Sequence, residues 1–248
     1  MIDKIEVKKR AREFAFKNKW NIWKPTLCIS LVYFVFGLLM GLFNLESGEL
    51  IYDILNIVLE VAIIPATIGI TYYLINLING KKLDVKEALL AKYKFWKVII
   101  LTVIVVGLCT LGWSLLLIVP GILYSFKVIM VTNILAENED ENLSFKDAIN
   151  KSKEMMEGHK MDYFKFMLGF YIWQAAYIIL FLIIFYCIVM VVYNTLLGTT
   201  LIGAYGTLFM LSGLGIFGLS ISSIWVVPYM NVSKIMYYQE LKKIINNK

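Results

Sequence analysis

The feature that most constrains this chain is a run of 39 residues, 98–136, in which Lys127 is the only charged side chain. As one straight helix it would extend roughly 58 Å, about twice the hydrocarbon thickness of a bilayer. The run therefore has to double back. Pro120-Gly121 divides it into two arms of useful length. Proline disfavours helix at the preceding Val119, and glycine tolerates a turn. The expectation is a tight transmembrane hairpin that turns at Pro120 and Gly121.

The remainder of the 248 residues has the same character, with 60% apolar side chains and a mean hydropathy of +0.73. A soluble domain would be about half apolar. The blocks are too long for core helices of a soluble fold. They predict an all-α, polytopic membrane helix bundle of six transmembrane helices: about 26–43, 51–78, the two hairpin arms, 164–192 and 201–229. No signal peptide is expected, because the first 24 residues are charged and amphipathic and no small-residue cleavage site follows the first apolar block. Cys28, Cys109 and Cys187 each lie inside an apolar block. They read as small apolar side chains rather than as a disulfide framework or a metal site.

The formal net charge of +6 is distributed in a telling way. Eight Lys and Arg fall in 4–24, six in 81–97, five in 146–165 and four in 234–248, leaving only Lys127 elsewhere. The connections at 44–50 and 194–199 carry none. This asymmetry is the positive-inside signature of a multi-pass protein with both termini cytoplasmic, and it argues against nucleic acid as the partner. Residues 2–24 read as a basic interfacial helix ending in Trp20 and Trp23, with Pro25 in the first turn of the next helix. A second surface helix has Val85, Leu89, Tyr93 and Trp96 at helical spacing. A third starts at Ser144, with Asp147 placed for a capping box, Phe145, Ala148, Ile149 and Ser152 on its apolar side, and Gly158 as its end. Each surface helix precedes a pair of spans. A single membrane domain built of three units, 1–78, 79–136 and 137–248, is one account of this; chance likeness among short amphipathic helices is the other.

Gly112-Trp113-Ser114-Leu115-Leu116-Leu117-Ile118-Val119-Pro120-Gly121, with Tyr124-Ser125 and Ala136-Glu137-Asn138, resembles a family of bacterial integral membrane proteins catalogued as domain of unknown function 975. Ala148-Ile149, Ser152-Lys153, Met156, Gly158-His159-Lys160 and Phe164 continue the likeness, and Lys8, Ala11-Arg12 and Trp20 are also similar. In the fifth span Gly169-Phe170-Tyr171-Ile172-Trp173 matches only in part. The likeness reaches about residue 175. It implies a multi-span protein of the bacterial cytoplasmic membrane and supplies no activity and no catalytic residues.

Polar side chains within spans are costly and therefore draw attention. Asp53, Asn56, Glu60, Thr67 and Thr71 form one stripe along the second span, with Glu60 near mid-membrane. The stripe could line a path for a proton or solute, or hydrogen-bond neighbouring helices. Lys127 could pair with Glu60, offsetting part of the burial cost of both. Gly158, His159 and Lys160 fall where a loop meets a span, and the lone histidine has no second His or Cys to complete a metal site. Gly203, Gly206, Gly215, Gly218 and Ser222 would allow close helix packing, within the chain or between copies. No nucleophile motif, metal motif or phosphate loop occurs.

These features favour a non-enzymatic accessory or scaffold protein without a cofactor. Its basic surface helices would meet anionic lipid headgroups, a protein partner or a second copy. A small carrier for a lipid-like or small solute, using the stripe of the second span, is the alternative.

Overall fold

In a computed structural model the chain is built from helices, with no strand among the described residues, which are 2–43, 45, 48–116, 118–138, 143–196 and 202–246. In chain order they are α1 (Lys4–Lys17), α2 (Lys19–Leu42), α3 (Leu50–Ile78), α4 (Val85–Ala91), α5 (Trp96–Leu116), α6 (Ile118–Val128), α7 (Val131–Glu137), α8 (Phe145–Met155), α9 (Lys160–Leu196) and α10 (Ile202–Asn246). A 3-10 turn, Lys92–Phe95, joins α4 to α5. Five stretches are long and apolar enough to cross a membrane: Lys19–Leu42, Leu50–Ile78, Val85–Leu115, Val119–Glu137 and Lys160–Tyr193. The expected sixth lies in α10, where many side chains fall outside the described residues. Two compact units divide the chain, Met1–Asp162 with Asn231–Lys248, and Tyr163–Met230.

Within the larger unit, burial is concentrated at one end of the apolar helices. In α3 no residue from 50 to 62 is buried, whereas Ile63, Ala66, Ile68, Tyr73, Leu74, Ile75 and Asn76 are. In α2 the buried residues are Ile22 and Pro25 near its start and Met40 near its end, while Leu31, Phe34 and Leu38 are exposed. Ile99 and Thr102, near the start of α5, are buried, and Leu108 and Leu111 are exposed. Against these buried ends pack α1, through Val7, Ala11 and Ala15; α7; α8, through Ala148, Ile149, Ser152 and Met155; and the last stretch of α10, through Val232, Ile235, Tyr237, Tyr238 and Leu241. The result is a packed layer carrying most of the charged residues.

Local signals explain several boundaries. Asp3 caps α1 by accepting from the backbone N–H groups of Ile5 and Glu6. Ser144 and Asp147 form the expected capping box at α8, and Gly158, at φ +76°, lies in the turn before α9. The first surface helix, however, does not run to Trp23. It stops at Lys17, where the Asn18 backbone N–H and side-chain amide both donate to the Phe14 carbonyl. Pro25 accordingly sits inside α2 rather than in its first turn.

The hairpin is present, but Pro120 and Gly121 are helical, in the first turn of α6, rather than a turn between two helices; Leu117, between α5 and α6, lies outside the described residues. A proline is tolerated there because first-turn N–H groups have no intrahelical partner. Gly121 serves packing instead: a Cβ added to it would lie 2.8 Å from Ser114 Cα on α5. The surface helix α4 also departs from expectation. Its fully buried residue is Ala88, and a Cβ on Gly69 of α3 would lie 2.7 Å from the Ala88 carbonyl oxygen and 2.8 Å from Leu89 Cα. Val85 and Leu89 are half-buried, and Tyr93 and Trp96 are exposed. Small residues, not the large apolar ones, let α3 and α4 touch.

Candidate functional site

The packed layer holds the charged and polar groups that the fold brings together. Its centre is the break between α6 and α7, where residues 129–130 leave the helix. A broken helix releases backbone groups that need partners. Ser152 of α8, fully buried, supplies both: its hydroxyl donates to the Lys127 carbonyl at 3.0 Å and accepts the Met130 N–H at 3.2 Å. This one side chain fixes α8 to the break.

Around the clamp, long-range polar contacts join the basic segments. Lys92, 2% exposed, donates to the Asn138 carbonyl at 2.8 Å and lies 4.4 Å from the centre of the Tyr72 ring. Glu137, at the end of α7, accepts from the Tyr238 hydroxyl at 2.8 Å and from the Lys242 ammonium, both on α10. Burial, reinforced by the Glu137 carboxylate, pushes the Tyr238 hydroxyl far above the ordinary phenol value. Arg10 of α1 donates to Glu240 at 2.8 Å, and this hydrogen bond holds the carboxyl below its usual range. Gln239 donates to the Asn79 side chain at 3.0 Å, and Lys4 pairs with Asp162. Burial alone lowers Lys8 and Lys234. The layer is thus stitched by charge as well as by apolar contact. The sequence places Ser152 on the apolar side of its helix, but the partners of its hydroxyl and the burial of Lys92 carry no sequence signal, since each depends on a group remote in the chain.

The polar stripe of α3 lies mostly outside this layer. Asp53, Glu60 and Thr67 are exposed, and Asn56 and Thr71 are half-buried. Glu60 accepts from the Tyr33 hydroxyl of α2 at 3.2 Å, Thr67 donates to the Ile64 carbonyl of its own helix at 2.7 Å, and Asp53 accepts from the Gly48 N–H at 3.5 Å. Among the described residues no ion pair joins Glu60 to Lys127. Glu60 lies 18 residues before the end of α3 at Ile78, roughly 27 Å along the helix, whereas the Lys127 carbonyl is held by α8. Lys127 instead lines a cleft with Trp113, Pro120, Leu123, Tyr124 and Lys153.

Gly158 is exposed and His159 and Lys160 are half-buried between α8 and α9, with the His159 N–H donating to the Met156 carbonyl. Met155 and Met156 are buried in the layer. In the smaller unit a Cβ on Gly215 would lie 3.3 Å from Leu180 of α9, so this glycine does allow close packing. At Gly206 and Gly218 an added Cβ would meet nothing within 4 Å. The surroundings of Gly203 and Ser222 lie outside the described residues. Phe170 and Tyr229 meet edge to face in the same unit, with ring centres 5.0 Å apart. Among the described residues no group of three or more His, Cys, Asp and Glu side chains converges as a metal site would require. The arrangement offers cations, hydrogen-bond donors and clefts: chemistry suited to holding an anion.

Residues 113–244 match the family described as "Protein of unknown function (DUF975)". The match begins at Trp113, so it leaves out Lys8, Ala11-Arg12 and Trp20, and it extends well past residue 175 to include the stretch of α10 that packs into the layer. No curated protein and no solved structure matches the chain. With more than half of its length matched, from the hairpin through the clamp at Ser152 to Glu240, the chain belongs to the DUF975 family.

Proposed function

We propose that the protein is a six-span, non-enzymatic accessory or scaffold protein of the bacterial cytoplasmic membrane, acting through its basic layer on the cytoplasmic side. The observation that carries this reading is the meeting of three Lys/Arg-rich segments in one packed body, through Arg10–Glu240, Lys242–Glu137 and Lys4–Asp162, with Gln239–Asn79 at the entry to the fourth and Lys92 of that fourth buried against the Asn138 carbonyl. Segments that share a layer share a side, as the positive-inside asymmetry requires. The apolar helices leave the layer with Leu31, Phe34, Leu108 and Leu111 exposed, as hydrocarbon-facing surfaces would be. The uncharged first half of α10 supplies the sixth span.

Lys86, Lys146 and Lys151 are exposed on the surface helices and available to anionic headgroups or to an acidic face of a partner or second copy. Native mass spectrometry of the protein gently extracted from its own membrane tests this. A polypeptide held at fixed stoichiometry, and lost when these three lysines are changed to glutamate, is the expected result. Extraction without any polypeptide, together with a cellular phenotype abolished by Glu60→Gln, would replace the accessory reading with the carrier.

A further inference from the structure

We propose that the cleft between α5, α6 and α8 binds the phosphate headgroup of one anionic lipid, with Lys127 and Lys153 as its ligands. This rests on the membrane reading alone and is independent of whether the protein has a polypeptide partner.

The cleft has a volume of about 460 Å³ and is lined by Trp113, Pro120, Leu123, Tyr124, Lys127 and Lys153. Two cations and, among the described residues, no carboxylate therefore line one space. Among the described residues neither lysine has a carboxylate partner, although Asp and Glu neutralise Lys4, Arg10 and Lys242 nearby in the same unit. Two ammonium groups lining one cleft repel each other unless an anion joins them. A phosphate can accept from both, since each ammonium offers three donors.

The pair is a product of the fold. Ser152 bonds to the carbonyl of Lys127, and Lys153 is the next residue of α8, so the clamp itself brings the two side chains to one place. The Lys153 ammonium lies 5.9 Å from the centre of the Tyr124 ring, which holds it over the cleft without neutralising it. The capping box at Ser144 and Asp147 anchors the start of α8, so the lysine projects from a fixed helix.

The rest of the lining distinguishes a lipid from a free anion. Trp113, Pro120 and Leu123 extend the cleft along the α5–α6 hairpin, where Val119 and Ile122 are also exposed. A soluble phosphate has no use for such a wall, whereas an acyl chain lying against it removes apolar surface from water. Tryptophan and tyrosine beside two lysines is the side-chain mixture found where hydrocarbon meets headgroup.

The test titrates the full-length protein in detergent with phosphatidylglycerol, with phosphatidylcholine and with inorganic phosphate, reading bound lipid by native mass spectrometry. The first phosphatidylglycerol should bind in preference to phosphatidylcholine and resist competition by inorganic phosphate. Lys127→Met and Lys153→Met should each weaken that first binding about tenfold, the loss expected for one charge-assisted hydrogen bond. Lys127→Arg should retain it, which separates lost charge from lost folding, and Lys81→Met with Lys82→Met, on an exposed connection, should leave it unchanged. Equal losses in the Lys81/Lys82 variant would overturn the site in favour of general surface attraction. Displacement by inorganic phosphate would overturn the lipid as occupant, and unchanged binding in both methionine variants would overturn the proposal outright. Retention or loss of a polypeptide partner is read in the same spectra and bears only on the accessory reading.

Discussion

The two halves of α3 follow different rules within one helix. From 50 to 62 it presents Leu50, Ile51, Ile54, Ile57 and Val58 outward, and its polar residues bond locally or to Tyr33 of α2. Beyond Ile63 it is packed on most sides, with Gly69 seated against the backbone of α4 and Tyr72 beneath the buried Lys92. The same contrast separates the spans: 11% of the most apolar window of Lys19–Leu42 is buried, against 44% for Val119–Glu137. Apolar content alone therefore does not locate the folded core of a membrane protein. Lipid satisfies an apolar side chain as well as protein does, so specificity comes from close backbone approach and from polar groups that need named partners.

The largest effect should come from one substitution made in both regions. Gly69→Ala places a methyl 2.7–2.8 Å from backbone atoms of Ala88 and Leu89, which cannot rotate away. Overpacking of this kind costs about 1–3 kcal/mol. Gly37→Ala, on exposed α2 with nothing within 4 Å of the new Cβ, should change stability by less than about 0.5 kcal/mol. Thermal unfolding in detergent, followed by tryptophan fluorescence, measures both. Equal effects would remove the distinction.

Next in size is the clamp. Ser152→Ala leaves the Lys127 carbonyl and the Met130 N–H without the hydroxyl that joins them, at a cost of about 1–3 kcal/mol. Ser125, whose hydroxyl only donates back to the Ile122 carbonyl of its own helix, should tolerate the same change to within about 0.5 kcal/mol. The same unfolding assay compares the two.

Acid should act on the layer more weakly. The Glu240 carboxyl is held below its ordinary value of 4.5 by Arg10, so its contribution is present above that value and fades as pH falls through the lowered one. Arg10 is half-exposed, so screening limits the pair to under about 1 kcal/mol. In Glu240→Gln the part of the acid-side loss below pH 4.5 that this pair causes should disappear, as read from unfolding midpoints across pH. Smallest of all, Glu60→Gln should leave the stability of the layer unchanged, because the carboxylate meets Tyr33 outside it.

Much of the architecture was legible because it rests on local pattern. The second span was expected at 51–78 and occurs at Leu50–Ile78, and Ser144 with Asp147 marks the start of α8 in sequence and in structure. What escaped the pattern depends on contacts remote in the chain. Hydrophobic periodicity points to Leu89 and Tyr93, yet Ala88 is buried because Gly69 lies opposite. Pro120-Gly121 looks like a turn, but the close approach to Ser114 explains its glycine and first-turn geometry accommodates its proline. The break before α7 has no proline or glycine to announce it; Ser152, 22 residues beyond Met130, makes it tolerable. The charged tail of α10 has Tyr237, Tyr238 and Leu241 among its lysines, and they are buried within the layer. The site was less visible still: Lys127 stood out as an intramembrane charge, but its neighbour Lys153 is set by the clamp.

The central claim, that the basic segments meet in one layer, can be tested by zero-length carbodiimide cross-linking of the protein in its native membrane, with the joined peptides identified by mass spectrometry. The account predicts bonds from Lys242 to Glu137 and from Lys4 to Asp162, alongside the local bond from Lys243 to Glu240. Recovery of the local bond without either long-range one would contradict it.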